Sequence, residues 1–133
     1  MGGRQEAASR PTDGELAILR VLWGRGPSTV RQVHETLAGR RAAATGYTTT
    51  LKLMQIMVEK GSLLRDSSRR THVYFPRESA EVVERGLVRD LIDRAFDGAA
   101  GRLVLSALGS RKVTKEEAAR IRALLDEIEG GGS

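Results

Sequence analysis

The run Y-T-T-T-L-K-L-M-Q-I-M-V-E-K, Tyr47 to Lys60, sets apolar side chains at intervals of three and four and stops at Gly61. Thr50, Leu53, Met54 and Met57 share one face, which predicts a helix packed on other helices. The opposite face presents Thr48, Thr49, Lys52 and Gln55: hydroxyls, an amine and an amide. The residues that follow read S-L-L-R-D, S-S-R-R and T-H-V-Y-F. They predict a hairpin in which Leu63–Arg65 pairs with Thr71–Phe75 around a loose turn from Asp66 to Arg70. An amphipathic helix with a polar outer face, followed directly by a basic hairpin, leaves few folds open.

Two more helices precede it. Thr12-Asp13-Gly14-Glu15 has the form of a capping box, and Leu16, Ile18, Leu19, Val21, Leu22 and Trp23 continue as an apolar stripe ending at Gly24. Gly26-Pro27 breaks the chain. Ser28 is expected to cap a second helix carrying Val30, Val33 and Leu37, and Gly39 to Gly46 reads as a loop with Arg40 and Arg41. Helix, helix, helix, hairpin is the order of a winged helix-turn-helix. The expected fold class is therefore mainly α with a small β-hairpin wing.

The character changes after Pro76. Glu78 to Phe96 predicts a long helix with Val82, Val83, Leu87, Leu91, Ile92, Ala95 and Phe96 on its apolar side. A short apolar helix follows from Arg102 to Leu108, and Thr114-Lys115-Glu116-Glu117 opens a last one through Ile121, Leu124, Leu125 and Ile128. So small a helical unit buries too little surface to stand alone. Pairing with a second copy solves that and predicts a homodimer held by Leu87, Leu91, Leu103, Leu105, Leu108, Ile121, Leu124 and Leu125. The expected organisation is a disordered 1–11, a DNA-binding domain over 12–76, a helical dimerisation domain over 77–129 and a flexible tail at 130–133.

Charge follows the same division. Residues 1–76 hold twelve Lys/Arg against six Asp/Glu, and residues 77–133 ten against eleven, so the net +5 lies wholly in the first part. A basic face attracts the phosphate backbone and releases its counterions. Threonine and lysine suit base edges in a major groove wide enough for a helix. Thr48, Thr49 and Lys52 are the candidates for direct readout, Tyr47 for a phosphate contact or a helix cap, and Arg69 and Arg70 for backbone or minor-groove contacts. Arg40, Arg41 and Lys60 are further cations within reach of phosphate. Leu51 and Ile56 fit neither face cleanly.

Other classes find little support. The chain has no cysteine, hence no disulfide or thiolate metal site, and its two histidines lie apart with no H-E-x-x-H. His34 reads as a surface residue of the second helix and His72 as a strand residue near the wing. No catalytic site, cofactor or metal is expected. The N-terminal M-G-G-R-Q-E-A-A-S-R contains no apolar stretch and the apolar runs are short, so neither a secretory signal nor membrane insertion is expected, and a cytoplasmic protein is the default. The rival reading is a winged-helix module that docks a protein rather than DNA.

The pieces P-T-D-G-E-L-A-I-L-R-V-L-W (Pro11–Trp23), T-V-R-Q-V-H-E-T-L (Thr29–Leu37), Tyr47–Gly61 and R-T-H-V-Y (Arg70–Tyr74) together resemble the penicillinase-repressor transcriptional regulators of bacteria over roughly residues 12–128. The resemblance implies a homodimer that sits on a double-stranded, inverted-repeat operator and represses transcription. It also implies, as in the best-known members, a membrane sensor with a metalloprotease domain that cleaves between the dimerisation helices. The matching bond here would lie near Ser106-Ala107, in L-V-L-S-A-L, where the Asn-Phe pair of those members is absent. The cysteines of copper-responsive relatives are absent too, and Leu51 stands where those members place an arginine one turn into the reading helix.

Overall fold

Thr12 opens the first helix, α1 (Asp13–Arg25). Its hydroxyl accepts the Glu15 amide at 3.2 Å, and the Glu15 carboxylate accepts the Thr12 amide at 3.0 Å. Two otherwise orphaned donors are satisfied reciprocally. The structure, a computed structural model, describes residues 10–40 and 46–131. The expected disorder of the first residues, the loop cation Arg41 and the last two residues of the expected tail lie outside the described residues.

α1 does not end at Gly24, as its sequence suggests. It runs on to Arg25 and stops at Gly26, whose amide donates to Leu22 O at 2.8 Å and whose φ is +96°. A glycine within a helix costs only about 1 kcal/mol, whereas positive φ all but demands one. Gly26 is therefore the true stop.

Ser28 is likewise not the cap of the second helix, α2 (Val30–Gly39). Thr29 is, in a second capping box with Gln32 at 3.2 and 3.0 Å. The Ser28 backbone is already committed: its amide donates to Tyr74 O at 3.0 Å and its carbonyl accepts the Tyr74 amide at 2.8 Å. Its buried hydroxyl donates to Gly26 O. Ser28 thus adds a one-residue antiparallel bridge alongside the second wing strand, and the helix starts one position later.

α3 (Tyr47–Lys60) begins at Gly46, without a side-chain cap, and ends at Gly61 in the left-handed region with φ +88°. Its inner face buries Thr50, Met54 and Met57, with Leu53 half-buried beside them. β1 (Leu63–Asp66) then pairs antiparallel with β2 (Val73–Pro76), Leu63 opposite Pro76 and Asp66 opposite Val73. The second strand starts two residues later than expected, leaving His72 in the turn. In the turn, Asp66 Oδ1 accepts the Ser68 amide at 2.9 Å, the local bond that favours Asp at such positions.

One apolar core joins these elements: Ile18, Leu19, Val21 and Leu22 from α1, Val30, Val33 and Leu37 from α2, Met54 and Met57 from α3, and Leu63 and Tyr74 from the wing. Glu15, itself buried, spans from the start of α1 to the end of α3, where the Lys60 ammonium donates to Glu15 Oε2 at 2.8 Å. Burial pushes the Glu15 carboxyl up. The Lys60 and Thr12 hydrogen bonds outweigh that and hold it below the usual carboxylate range.

α4 (Ala80–Ala95) follows, with Ser79 Oγ accepting the Val82 amide and the Trp23 indole donating to Glu78 O at 3.1 Å just before it. The chain forms two compact units, Met1–Val88 and Arg89–Ser133. In the second, Asp97 (φ +51°) and Gly98 (φ +80°) turn the backbone into α5 (Ala100–Ser110). α6 (Lys115–Gly131) is opened by the expected box between Thr114 and Glu117. α6 extends two residues into the expected flexible tail. Neither α4 nor α5 has a fully buried residue.

Candidate nucleic-acid interface

α3 is held against α2 by its inner face, so its outer face is free to meet a groove. Thr48, Thr49, Lys52 and Gln55 are all exposed, as the spacing predicts, and no carboxylate lies in the first turn. The helix N-terminus adds a partial positive charge at the same place. Polar donors, a cation and a helix dipole end therefore converge on one solvent-facing turn.

That turn is braced from α2. A hydrogen bond of 3.1 Å joins His34 Nδ1 and Thr50 Oγ1. The His34 ring meets the Tyr47 ring edge to face, 5.9 Å between centroids and 84° between planes. The Arg31 guanidinium lies 5.1 Å from the Tyr47 centroid on the same ring. His34 is thus half-buried rather than a surface residue, because its place on α2 turns it towards the buried Thr50. Tyr47 and Thr50 flank Thr48 and Thr49 in sequence, so one histidine touches both ends of the presenting turn.

The wing arginines have different surroundings. Arg69 lies near Asp66, whose carboxyl is held below its usual range mainly by hydrogen bonds from Ser68, with Arg69 contributing less. Arg70 instead lines a cleft with Tyr47 and Leu51. Leu51 is half-buried against the core, which accounts for its poor fit to either helix face: it forms a wall between helix and wing. Ile56 is also half-buried. Among the other cations, Arg40 is exposed at the end of α2, whereas Lys60 is committed to Glu15 and belongs to the fold. Arg31 is the residue that sequence reading missed. Its position two residues after the α2 cap was the available signal, but its approach to Tyr47 crosses between helices.

Among the described residues, no group of histidine, aspartate and glutamate side chains could hold a metal ion, and no helix is long and apolar enough to cross a membrane.

Three packed helices, a basic two-stranded wing and an exposed polar turn at the start of the third helix make up a winged helix-turn-helix. Comparison with known proteins agrees over nearly the whole chain. The family model described as penicillinase repressor matches residues 11–127. Two relatives, each named transcriptional regulator BlaI, from Mycobacterium tuberculosis strains CDC 1551 / Oshkosh and ATCC 25618 / H37Rv, are 36% identical over 124 residues, covering 92% of this chain and 88% of each relative. The chain belongs to the penicillinase repressor family, and with it to the DNA-binding transcriptional regulators rather than the enzymes.

Proposed function

We propose that the protein is a dimeric repressor that reads an inverted-repeat operator with α3 and grips the backbone with its wing. The carrying observation is the outer face of α3, where Thr48, Thr49 and Lys52 stand exposed on a helix whose inner face is locked into the core. Thr48, Thr49 and Lys52 contact base edges. Tyr47, Arg69 and Arg70 contact phosphate or the minor groove. Residues 12–76 form the DNA-binding domain and residues 77–129 the dimerisation domain.

The dimer reading draws on the second half. Leu91, Val104, Leu105, Leu108, Leu124, Leu125 and Ile128 are exposed large apolar residues within one short region, and Leu105 is 72% exposed. Leu87, Leu103 and Ile121, also expected at the dimer interface, are half-buried within the chain. Large apolar side chains left in water at this density in so short a segment favour association with a second copy.

A sensor metalloprotease acting at Ser106-Ala107 is a further part of the family-based reading. That bond lies inside α5, where the Ser110 hydroxyl donates to Ser106 O, so a protease would first have to unwind the helix. Mass spectrometry of the repressor from induced cells, showing fragments that end at Ser106, is the observation this route requires.

The test of readout separates specific from general binding. Lys52→Ala should cost about 1–3 kcal/mol at the cognate operator and relax preference at the base it reads. Arg70→Ala should weaken operator and random DNA alike, and flatten the salt dependence by about one unit because one phosphate is no longer neutralised. Equal weakening on both DNAs in the Lys52 variant would remove Lys52 from the reading face.

A further inference from the structure

Between the start of α2, the start of α3 and the wing lies a cleft of ≈ 450 Å³. We propose that it is a binding site for a small organic anion, a carboxylate or phosphate head on an apolar body, and that occupancy displaces DNA. The displacement rests on α3 and the wing being the DNA-binding face; the binding site does not.

The lining has two chemistries. Its floor is apolar: buried Val30, the buried Tyr74 ring and half-buried Leu51. Its rim is cationic and protic: Arg31, Arg70, Thr71 and His72, all exposed. Among the described residues no carboxylate lines it. Guanidinium groups match carboxylate and phosphate oxygens in a fixed fork, and the Tyr47 ring already holds Arg31 at the mouth. Among the described residues, no hydrogen bond or ion pair occupies the side chains of Arg70, Thr71 or His72.

Size distinguishes this site from a simple phosphate seat. The volume falls within the range of small-molecule pockets, about 300–1,000 Å³, more than one phosphate group fills. An apolar floor is wasted on a phosphodiester but suits a ring or short chain. Location then supplies the consequence. Tyr47 and Arg70 line the cleft and belong to the proposed DNA face, so a ligand held there neutralises Arg70 and crowds the first turn of α3.

The experiment uses the isotope-labelled full chain, without DNA, titrated at constant ionic strength with benzoate, phenyl phosphate, inorganic phosphate and phenol while backbone amide shifts are followed. Saturable shifts at Tyr47, Leu51, Thr71 and His72 with benzoate or phenyl phosphate are expected. Inorganic phosphate and phenol, each carrying half the ligand, should bind at least tenfold more weakly. Arg31→Gln should weaken the probe tenfold, while the remote Arg85→Gln leaves it unchanged; Arg70→Gln serves as a second test. Saturating probe should lower operator affinity at least fivefold by fluorescence anisotropy. No saturable shift in the cleft overturns the site. Inorganic phosphate binding as tightly as phenyl phosphate reduces the cleft to a backbone seat and overturns an organic ligand. Probe bound with operator affinity unchanged overturns the displacement. A chain that binds no operator at all sinks the reading of α3, and the DNA-free titration still decides the site.

Discussion

His34 shows how a single side chain on α2 can brace the exposed first turn of α3. It bonds Thr50, a residue only 2% exposed, and it backs the Tyr47 ring. Replacing it with alanine leaves a buried hydroxyl without its partner, which costs about 1–3 kcal/mol. It also frees Tyr47 to sample other rotamers. His34→Ala should therefore lower the urea midpoint, and under conditions where the variant is still folded it should lose operator affinity more than random-DNA affinity. Unchanged stability would show that the bond does not form in solution. The exposed residues of this site, Thr48, Thr49 and Lys52, were legible because helical spacing alone fixes which side chains face outward. His34 and Arg31 were not, because their roles depend on how α2 meets α3. Spacing within one helix carries no information about the facing helix.

At the level of elements, the bond between Glu15 and Lys60 fastens the first turn of α1 to the last turn of α3. Glu15 is nearly buried, while Lys60 keeps more than a third of its side chain in water, so part of the attraction is screened. The folded carboxyl titrates below its unfolded value. Its contribution to stability is therefore present above the usual carboxylate range and is lost as pH falls through that range and then through the lower folded value. Urea unfolding from neutral pH to pH 3 should show this loss in the native chain and a flatter profile in Glu15→Gln. Identical profiles would remove Glu15 from the account. Lys60→Met, which strands a buried charge, should be destabilising at neutral pH. Element order and most boundaries could be read from capping boxes and apolar spacing. The misplaced boundaries have two causes: backbone angle moved the stop from Gly24 to Gly26, and strand pairing moved the starts expected at Ser28 and Thr71. Ser28 looks like a cap until its backbone is seen bonded to Tyr74, far along the chain in the second wing strand.

At the scale of the whole chain, a closed core contrasts with helices whose apolar side chains stay open to water. The first unit buries its stripe within one chain, whereas α5 and α6 leave theirs exposed. Burying a leucine is worth about 1.5–3 kcal/mol, so a few such residues from each copy suffice to drive association. Leu105→Asp should shift the protein towards monomer at micromolar concentration in sedimentation velocity. It should leave the urea transition of the first unit near its original midpoint. The proposed dimer rests in the sequence on an argument from surplus: too many apolar residues in too short a segment. The family match makes the regulator class firm, and the proposed reading of an inverted repeat turns on the proposed pairing. Two α3 helices can read an inverted repeat only if association holds them about one DNA turn apart, ~34 Å. The most direct measurement is a hydroxyl-radical footprint of the native chain on the DNA upstream of its own gene. The account predicts two protected stretches, related by symmetry and centred ~10 base pairs apart, both abolished together in Leu105→Asp at equal concentration. A single unpaired protected stretch, or two that survive in a monomeric variant, would contradict it.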